Sequence, residues 1–120
     1  MAILFYKNNK CPSEIGEFCG AVPTSQSGNW SLKASGSPVQ NDAAKSCTLM
    51  DVVAGTAITL YDNPDGKTDD DWTEIRAHQN IVNICITTFE VDTSSTQYSV
   101  TYHKKNGLNG KVSYIRVIAP

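Results

Sequence analysis

The sequence predicts an all-β domain, and three observations carry this prediction. Runs rich in Ile, Val, Thr, Tyr and Trp recur along the chain, turn residues such as Asn-Pro-Asp-Gly separate them, and no stretch has a clear helical period. Short strands at regular spacing are typical of a β-sandwich or a small barrel, and the lack of crossover helices argues against a parallel sheet. The predicted strands are Ala2–Lys7, Asn29–Ala34, Ser46–Val53, Ala57–Tyr61, Trp72–Ala77, Val82–Val91, Gln97–Lys104 and Lys111–Ile118.

The last quarter of the chain predicts a β-hairpin. Residues 98–102 alternate in polarity, Asn106–Gly110 supplies residues that tolerate positive φ, and Lys111–Ile118 returns as a β-rich run. We therefore expect residues 93–120 to form a C-terminal hairpin extension of the domain.

Length and charge restrict the class of protein. The 120 residues fit one domain with a real core, and 10 Lys and Arg against 12 Asp and Glu give a net charge of −2. No basic stripe is present to neutralise phosphates, so the composition excludes a nucleic-acid binder. The longest apolar runs are only a few residues, so no membrane span is expected. We also expect a monomer.

The four cysteines, Cys11, Cys19, Cys47 and Cys85, are an even number in a small chain. They fit two disulfides in an oxidising compartment, with reduced buried thiols as the second interpretation and zinc as the third. The wide spacing disfavours zinc, because structural zinc sites use close cysteine pairs. Disulfides would indicate a secreted protein whose signal peptide is absent from this sequence, whereas free thiols would indicate a cytosolic or spore-type protein.

No catalytic constellation is recognisable, so we expect that the protein is not an enzyme. The chain lacks a nucleophile elbow, a zinc-protease motif and a glycine-rich phosphate loop. His78 and His103 are expected at the surface. The acidic run Asp69–Asp71, with Asp62 and Asp65, could form an irregular calcium loop, but a solvated face is the favoured interpretation.

Aromatic side chains give one candidate recognition cluster, formed by Tyr98, Tyr102 and Tyr114. Alternation places Tyr98, Val100 and Tyr102 on one face of a strand, so packing against the sandwich is the stronger interpretation. The two tryptophans are expected in or beside the core.

An internal echo divides the chain into two similar four-strand units, residues 1–54 and 55–92. Three kinds of segment recur in the same order: an aromatic strand, a tryptophan strand and a strand begun by Asn, Asp or Gln. The paired segments are Leu4–Asn8 with Leu60–Asn63, Asn29–Leu32 with Asp71–Ile75, and Asn41–Ser46 with Gln79–Asn83.

These segments resemble the βγ-crystallin superfamily, especially its microbial and slime-mould members of the spherulin type. Ala57–Gly66 is similar to the family's first strand and aromatic corner, and Val82–Glu90 is similar to a last strand. Asn41–Ser46 is similar to its signature of two Asn or Asp residues, two variable residues and two hydroxyl residues. The resemblance implies two interlocking Greek-key motifs that form a β-sandwich, to which the C-terminal hairpin is added.

The resemblance also implies two calcium sites at one end of the sandwich. A backbone carbonyl and the hydroxyl of the fifth motif position help to bind the ion in this family. Here Lys45 stands at that position in the first motif, where its charge repels Ca²⁺, so at most weak binding is expected. The candidate calcium residues are Asn41, Asp42, Ser46 and Asn83.

The echo makes the cysteines a test of strand register. In one alignment Cys47 faces the core and Cys85 points the other way, and in the alternative the two cysteines occupy equivalent positions and could be bonded. The favoured pairing is Cys11 with Cys19, which would close an enlarged N-terminal corner, and Cys47 with Cys85.

Two functional hypotheses follow. The first is a secreted, non-enzymatic binding or stress-protective module that recognises a protein or carbohydrate surface. The second is a small antimicrobial or killer-toxin-like protein or a protease inhibitor, for which the long Cys11–Gly28 segment would be the projecting element.

Overall fold

The computed structural model describes residues 1–11 and 17–120, and its regular structure is entirely β. This confirms the predicted all-β class. The described residues contain ten strands: β1 (Ala2–Tyr6), β2 (Phe18–Pro23), β3 (Gly28–Ser31), β4 (Ser46–Val52), β5 (Ala57–Tyr61), β6 (Trp72–Ala77), β7 (Ile81–Ile86), β8 (Thr93–Ser94), β9 (Tyr98–His103) and β10 (Tyr114–Ile118).

The strands form two antiparallel sheets that pack as a sandwich. The four-stranded sheet has the order β2-β1-β4-β7, and the six-stranded sheet has the order β3-β10-β5-β6-β9-β8. Alternation decides which side chains face inward. On β6, for example, Thr73, Ile75 and Ala77 are buried while Arg76 is exposed. The largest fully buried side chains are Phe5, Phe89, Ile3, Leu49, Ile58, Leu60, Ile75, Leu108 and Ile115.

The strand β2 was not predicted, because Gly20 and Pro23 interrupt its pattern. Gly20 adopts a φ of 137°, and a Cβ there would lie 2.2 Å from the carbonyl oxygen of Pro38. The residue is therefore a close backbone contact, bridged to Val39, within a real strand. Since β2 pairs with β1, much of the supposed projecting segment Cys11–Gly28 belongs to the sheet. Its residues 12–16 lie outside the described residues.

The predicted C-terminal hairpin is wrong, because β9 and β10 do not pair. β9 pairs with β6 and β8, whereas β10 lies between β3 and β5 as an inner strand of the larger sheet. Residues 106–110 have the composition of a turn, but carboxylates bind the backbone N–H groups of residues 106–109, the N–H of Gly110 donates to the carbonyl of Ala44, and Leu108 is fully buried. These contacts hold the segment against the sandwich and carry the chain across to β10.

Because β2 was not predicted, the two halves of the internal repeat were matched through the wrong strands. In the structure, β1 lies between β2 and β4, and β5 lies between β6 and β10 in the same way. β3 pairs with β10 and β7 pairs with β4, so each set of strands contributes one strand to the other sheet. The equivalent strands are therefore β1 with β5, β2 with β6, β3 with β7, and β4 with β10. The matches of Trp30 with Trp72 and of Asn41–Ser46 with Gln79–Asn83 are wrong, because they join strands that are not equivalent.

The disulfide pairing also differs from the prediction. Cys11 is bonded to Cys85, and Cys19 and Cys47 are free thiols. Thr48 lies opposite Cys85 across the β4–β7 pair, so Cys47 points into the core and Cys85 points outward, as in the first of the two alignments. Burial raises the pKa of Cys19 to about 11 and that of Cys47 further still, so neither thiol ionises readily at neutral pH.

We predict that replacing Cys85 with Ser destabilises the oxidised protein by about 3–4 kcal/mol, because the bond closes a long loop in the unfolded chain. Cys11 and Cys85 are 74 residues apart in sequence. The check is urea unfolding of both proteins, with Cys19→Ser as the matched control, for which a much smaller loss is expected. Alkylation of the unfolded, unreduced protein must label two thiols, and labelling of none or of four would contradict the pairing.

Candidate functional site

The predicted calcium residues lie in different parts of the structure. Asn41 and Asp42 form a turn before β4, in which Asp42 has a φ of 55°. The hydroxyl of Ser46 instead donates to the carbonyl of Asn8 at 2.6 Å and accepts the N–H of Cys11. Asn83 lies opposite Met50 on the outer face of β7, about 13 Å along β4 from Ser46. The structure therefore brings Asn41 and Asp42 together and leaves Asn83 outside.

A different segment, residues 109–114, meets residues 41–46. The N–H of Gly110 donates to the carbonyl of Ala44 at 2.8 Å, and the N–H of Asp42 donates to the carbonyl of Val112 at 3.1 Å. These two segments, which we call the crossing segments, lead directly into β4 and β10. The first leads from β3 of the larger sheet into β4 of the smaller one, and the second leads from β9 to β10 within the larger sheet.

The crossing segments occupy equivalent places in the two sets of strands. The N–H of Lys45 donates to the carbonyl of Tyr6, and that of Ser113 donates to the carbonyl of Tyr61, each at 2.8 Å. Gly110, like Asp42, has a positive φ. Residues 109–114 are thus the structural equivalent of residues 41–46, and the hydroxyl of Ser113 stands at the fifth position, where the first segment has lysine.

The hydrogen-bonded pair of Asp42 and Ser113 and a cluster of three aspartates lie on one side of the crossing, and we call them together the acidic position. The hydroxyl of Ser113 donates to Asp42 Oδ1 at 2.9 Å. Carboxylate oxygens of Asp62, Asp70 and Asp71 lie within 4.8 Å of one another. Burial, and then the neighbouring charge of Asp70, raises the pKa of Asp62. Crowding of negative charge at this end is thus unfavourable by itself and would be relieved by a cation.

Asp71 has a second task, because it holds the segment that leads to β10. Its side chain is fully buried and accepts the Tyr102 hydroxyl and the N–H groups of Asn106 and Gly107, the latter two at 2.8 Å. Burial by itself raises the pKa of Asp71. The Tyr102 hydroxyl and the backbone N–H groups of Asn106, Lys105 and Gly107 outweigh that effect and leave the pKa well below its ordinary value. Burial and the same carboxylate raise the pKa of Tyr102.

Glu90 continues this arrangement along the same segment. Its Oε2 accepts the N–H groups of Leu108 and Asn109 at 2.7 and 2.6 Å. The side-chain carbonyl of Asn109 accepts the N–H of Phe89, and its NH₂ group donates to the hydroxyl oxygen of Thr88. Four consecutive backbone N–H groups, 106–109, are therefore bound by two carboxylates, so the expected solvated face is wrong for Asp71.

The other candidate residues are explained by packing. Tyr98 and Tyr102 pack against the core, as alternation predicted, and Tyr114 instead contacts Tyr61 with 5.8 Å between ring centroids. The three tyrosines therefore do not form one recognition cluster. His103 is exposed, as predicted, and stacks on Trp72 with 3.7 Å between the ring centroids.

Comparisons with protein-family models, with curated proteins and with solved structures found no match for this chain. The part of the chain that the structure describes contains no helix able to cross a membrane.

We predict that Asp71→Asn lowers the free energy of unfolding at neutral pH by about 2–4 kcal/mol, because bonds to a charged acceptor are lost in a buried place. The folded-state pKa of Asp71 is below its ordinary value of 3.8, so its contribution is present above that pH and is lost as the pH falls below it. Urea unfolding at several pH values checks both points. The acid-induced loss of stability should be smaller in the variant.

The matched control is Asp65→Asn, which makes the same change at an exposed position of the preceding loop. Tyr102→Phe removes one of the hydrogen bonds to Asp71 and should cost about 1–2 kcal/mol. Equal stability of Asp71→Asn and the wild type would show that this carboxylate does not hold the segment.

Proposed function

We propose that this chain is a non-enzymatic, secreted binding or stress-protective module of the βγ-crystallin type that binds Ca²⁺ weakly at the acidic position. The pairing of the Asp42 carboxylate with the Ser113 hydroxyl, at the point where the crossing segments meet, carries this proposal. Asp62 and Asp70 add carboxylates at the same end of the molecule.

The strand order supports the family part of the proposal. In each set the fourth strand returns to lie beside the first, β4 beside β1 and β10 beside β5, while the third strand joins the opposite sheet. A fourth strand beside the first is the defining relation of a Greek key. The short pair β8–β9 is then an insertion between the third and fourth strands of the second set.

The chemistry of the acidic position fits a hard cation. Ca²⁺ takes oxygen ligands from carboxylates, hydroxyl groups and backbone carbonyls, and its geometry tolerates an irregular set. Asp42, Asp62 and Asp70 would supply carboxylates, and Ser113 would supply a hydroxyl oxygen. Asp71 would act mainly through its charge, because both of its oxygens already accept hydrogen bonds. A bound cation would neutralise the crowded carboxylates and so stabilise the crossing.

Two features make weak binding the expected outcome. Lys111 lies near enough to Asp62 to lower the pKa of that carboxyl, so it already neutralises part of the cluster. One hydroxyl oxygen is also a weaker ligand than a further carboxylate. A dissociation constant of about 10⁻⁴–10⁻³ M, the range of extracellular calcium modules, is therefore expected.

Secretion is supported by the disulfide. The Cys11–Cys85 bond is compatible with an extracellular protein, since disulfides persist in oxidising compartments and are rare in the cytosol. Extracellular fluids also contain calcium at concentrations that suit a weak site. The compartment and the proposed cation are therefore consistent with each other.

We predict that 10 mM Ca²⁺ stabilises the protein by about 1.5–2.5 kcal/mol relative to EDTA, because a ligand of the folded state raises its stability. Thermal unfolding measures this as an increase in Tm of several degrees. Asp42→Asn should abolish the increase without disturbing the backbone, since Asn tolerates positive φ as well as Asp does. Lys111→Ala should enlarge it.

Asp51→Asn is the matched control, because Asp51 is an exposed aspartate near the far end of β4 with nearly the same φ, 50° against 55° for Asp42. This variant should keep the full calcium response. An unchanged Tm in wild-type protein with and without Ca²⁺ would remove the calcium part of the proposal.

A further inference from the structure

The place equivalent to the acidic position carries the opposite charge. Asp62 directly follows Tyr61 and donates its N–H to the carbonyl of Asp71 at 2.9 Å, and Lys7 follows Tyr6 and donates its N–H to the carbonyl of Glu17 at 2.7 Å. Lys7 is therefore the structural equivalent of Asp62. We call this second place, formed by Lys7, Lys45 and Gly110, the lysine position.

The other two residues of the acidic position are replaced in the same way. Gly110 is the equivalent of Asp42, as the reciprocal bonds of the crossing segments require, and Lys45 is the equivalent of Ser113. The lysine position thus has an ammonium group in place of the hydroxyl, another in place of a carboxylate, and no side chain in place of the second carboxylate.

Lys45 and Gly110 also fit each other sterically. A Cβ placed on Gly110 would lie 3.5 Å from Cε of Lys45, so the lysine stem lies beside the place where a side chain at 110 would begin. In the acidic position the equivalent contact is the hydrogen bond between Asp42 and Ser113. At the acidic position these two backbone sites carry the hydrogen-bonded side chains of Asp42 and Ser113. At the lysine position they carry Gly110 and the aliphatic part of Lys45, which lies beside it.

We propose that the chain binds one cation and not two, and that Lys45 and Lys7, together with the missing side chain at Gly110, close the lysine position to cations. This inference rests on the proposed function for the wild-type stoichiometry. A divalent cation needs several oxygen ligands, and at the lysine position two cationic residues and a glycine stand where the acidic position has two carboxylates and a hydroxyl. The backbone hydrogen bonds are shared, so the difference between the two positions is attributed to the residues at these three sites.

The test transfers the acidic side chains to the lysine position in the variant Lys7→Asp/Lys45→Ser/Gly110→Asp. Asp42 shows that Asp is accepted at the equivalent backbone site with positive φ, and removing Lys45 removes the contact nearest to a new side chain at 110. Equilibrium dialysis with radioactive Ca²⁺ at millimolar protein concentration measures the bound calcium per chain. The wild type should bind one ion and the variant two.

A second variant identifies which position is occupied. Adding Asp42→Asn to the triple variant should return the count from two to one, because only the new position would remain. Near-UV circular dichroism of each variant, compared with the wild type, establishes that its fold is retained. Lys45→Ser alone, which changes one exposed residue, gives a second measure and should increase calcium binding at the highest concentrations.

The outcomes separate this inference from the proposed function. Two ions bound by the wild type would overturn the inference and leave the calcium proposal standing. No ion bound by the wild type but one by the triple variant, insensitive to Asp42→Asn, would overturn the calcium proposal and support the inference. Equal counts for the wild type and the folded triple variant would overturn the inference.

Discussion

The two reciprocal hydrogen bonds between the crossing segments are the contact on which the arrangement of this protein depends. They join residues 41–46 to residues 109–114 immediately before β4 and β10 begin. β4 is an inner strand of the smaller sheet, and β10 is an inner strand of the larger one. The geometry of the crossing therefore fixes where both sheets receive their fourth strands, and the core between the sheets follows from that placement.

The second crossing segment is reached only if the chain does not form a hairpin after β9 but continues to the place of β10 beside β5. Asp71 and Glu90 perform this task by binding four consecutive N–H groups of the segment that follows β9. Buried backbone donors need partners, and the two carboxylates supply them where no neighbouring strand does. Asp71 also belongs to the acidic cluster with Asp62 and Asp70. One carboxylate of the acidic cluster, that of Asp71, therefore also binds the segment that leads from β9 to β10.

The sequence allowed prediction of individual strands much better than of their neighbours. β5 and β6 were predicted with the observed bounds, because alternation and clear turns mark them. β2 was missed because the physical reason for Gly20, its approach to Pro38, lies in another segment. The position of β10 between β3 and β5 depends on contacts with distant parts of the chain, and composition alone favoured the local hairpin.

Contacts between distant segments were equally hard to predict for the candidate calcium residues. Asn41 and Asp42 were recognised from local pattern, whereas Asn83 was chosen because one missed strand shifted the echo by one element. A local signal for the correct partner was present. Residues 109–113, Asn-Gly-Lys-Val-Ser, repeat the spacing of residues 41–45 with a hydroxyl at the fifth position. Assignment to a hairpin turn concealed that signal, since Asn and Gly are also typical of turns.

The two equivalent positions carry different charges on the same pattern of backbone hydrogen bonds. At the acidic position, burial and the neighbouring carboxylates raise the pKa of Asp62, so the contribution of Asp62 to stability falls as the pH rises through that pKa, opposite in sign to the contribution of Asp71. At the lysine position the ammonium groups are exposed and the lysine stem packs on Gly110, so no comparable crowding of charge arises. The shifted carboxyl groups of the crossing therefore lie on the side of Asp62 and Asp71, and the two reciprocal backbone bonds join that side to the side of Lys45 and Gly110.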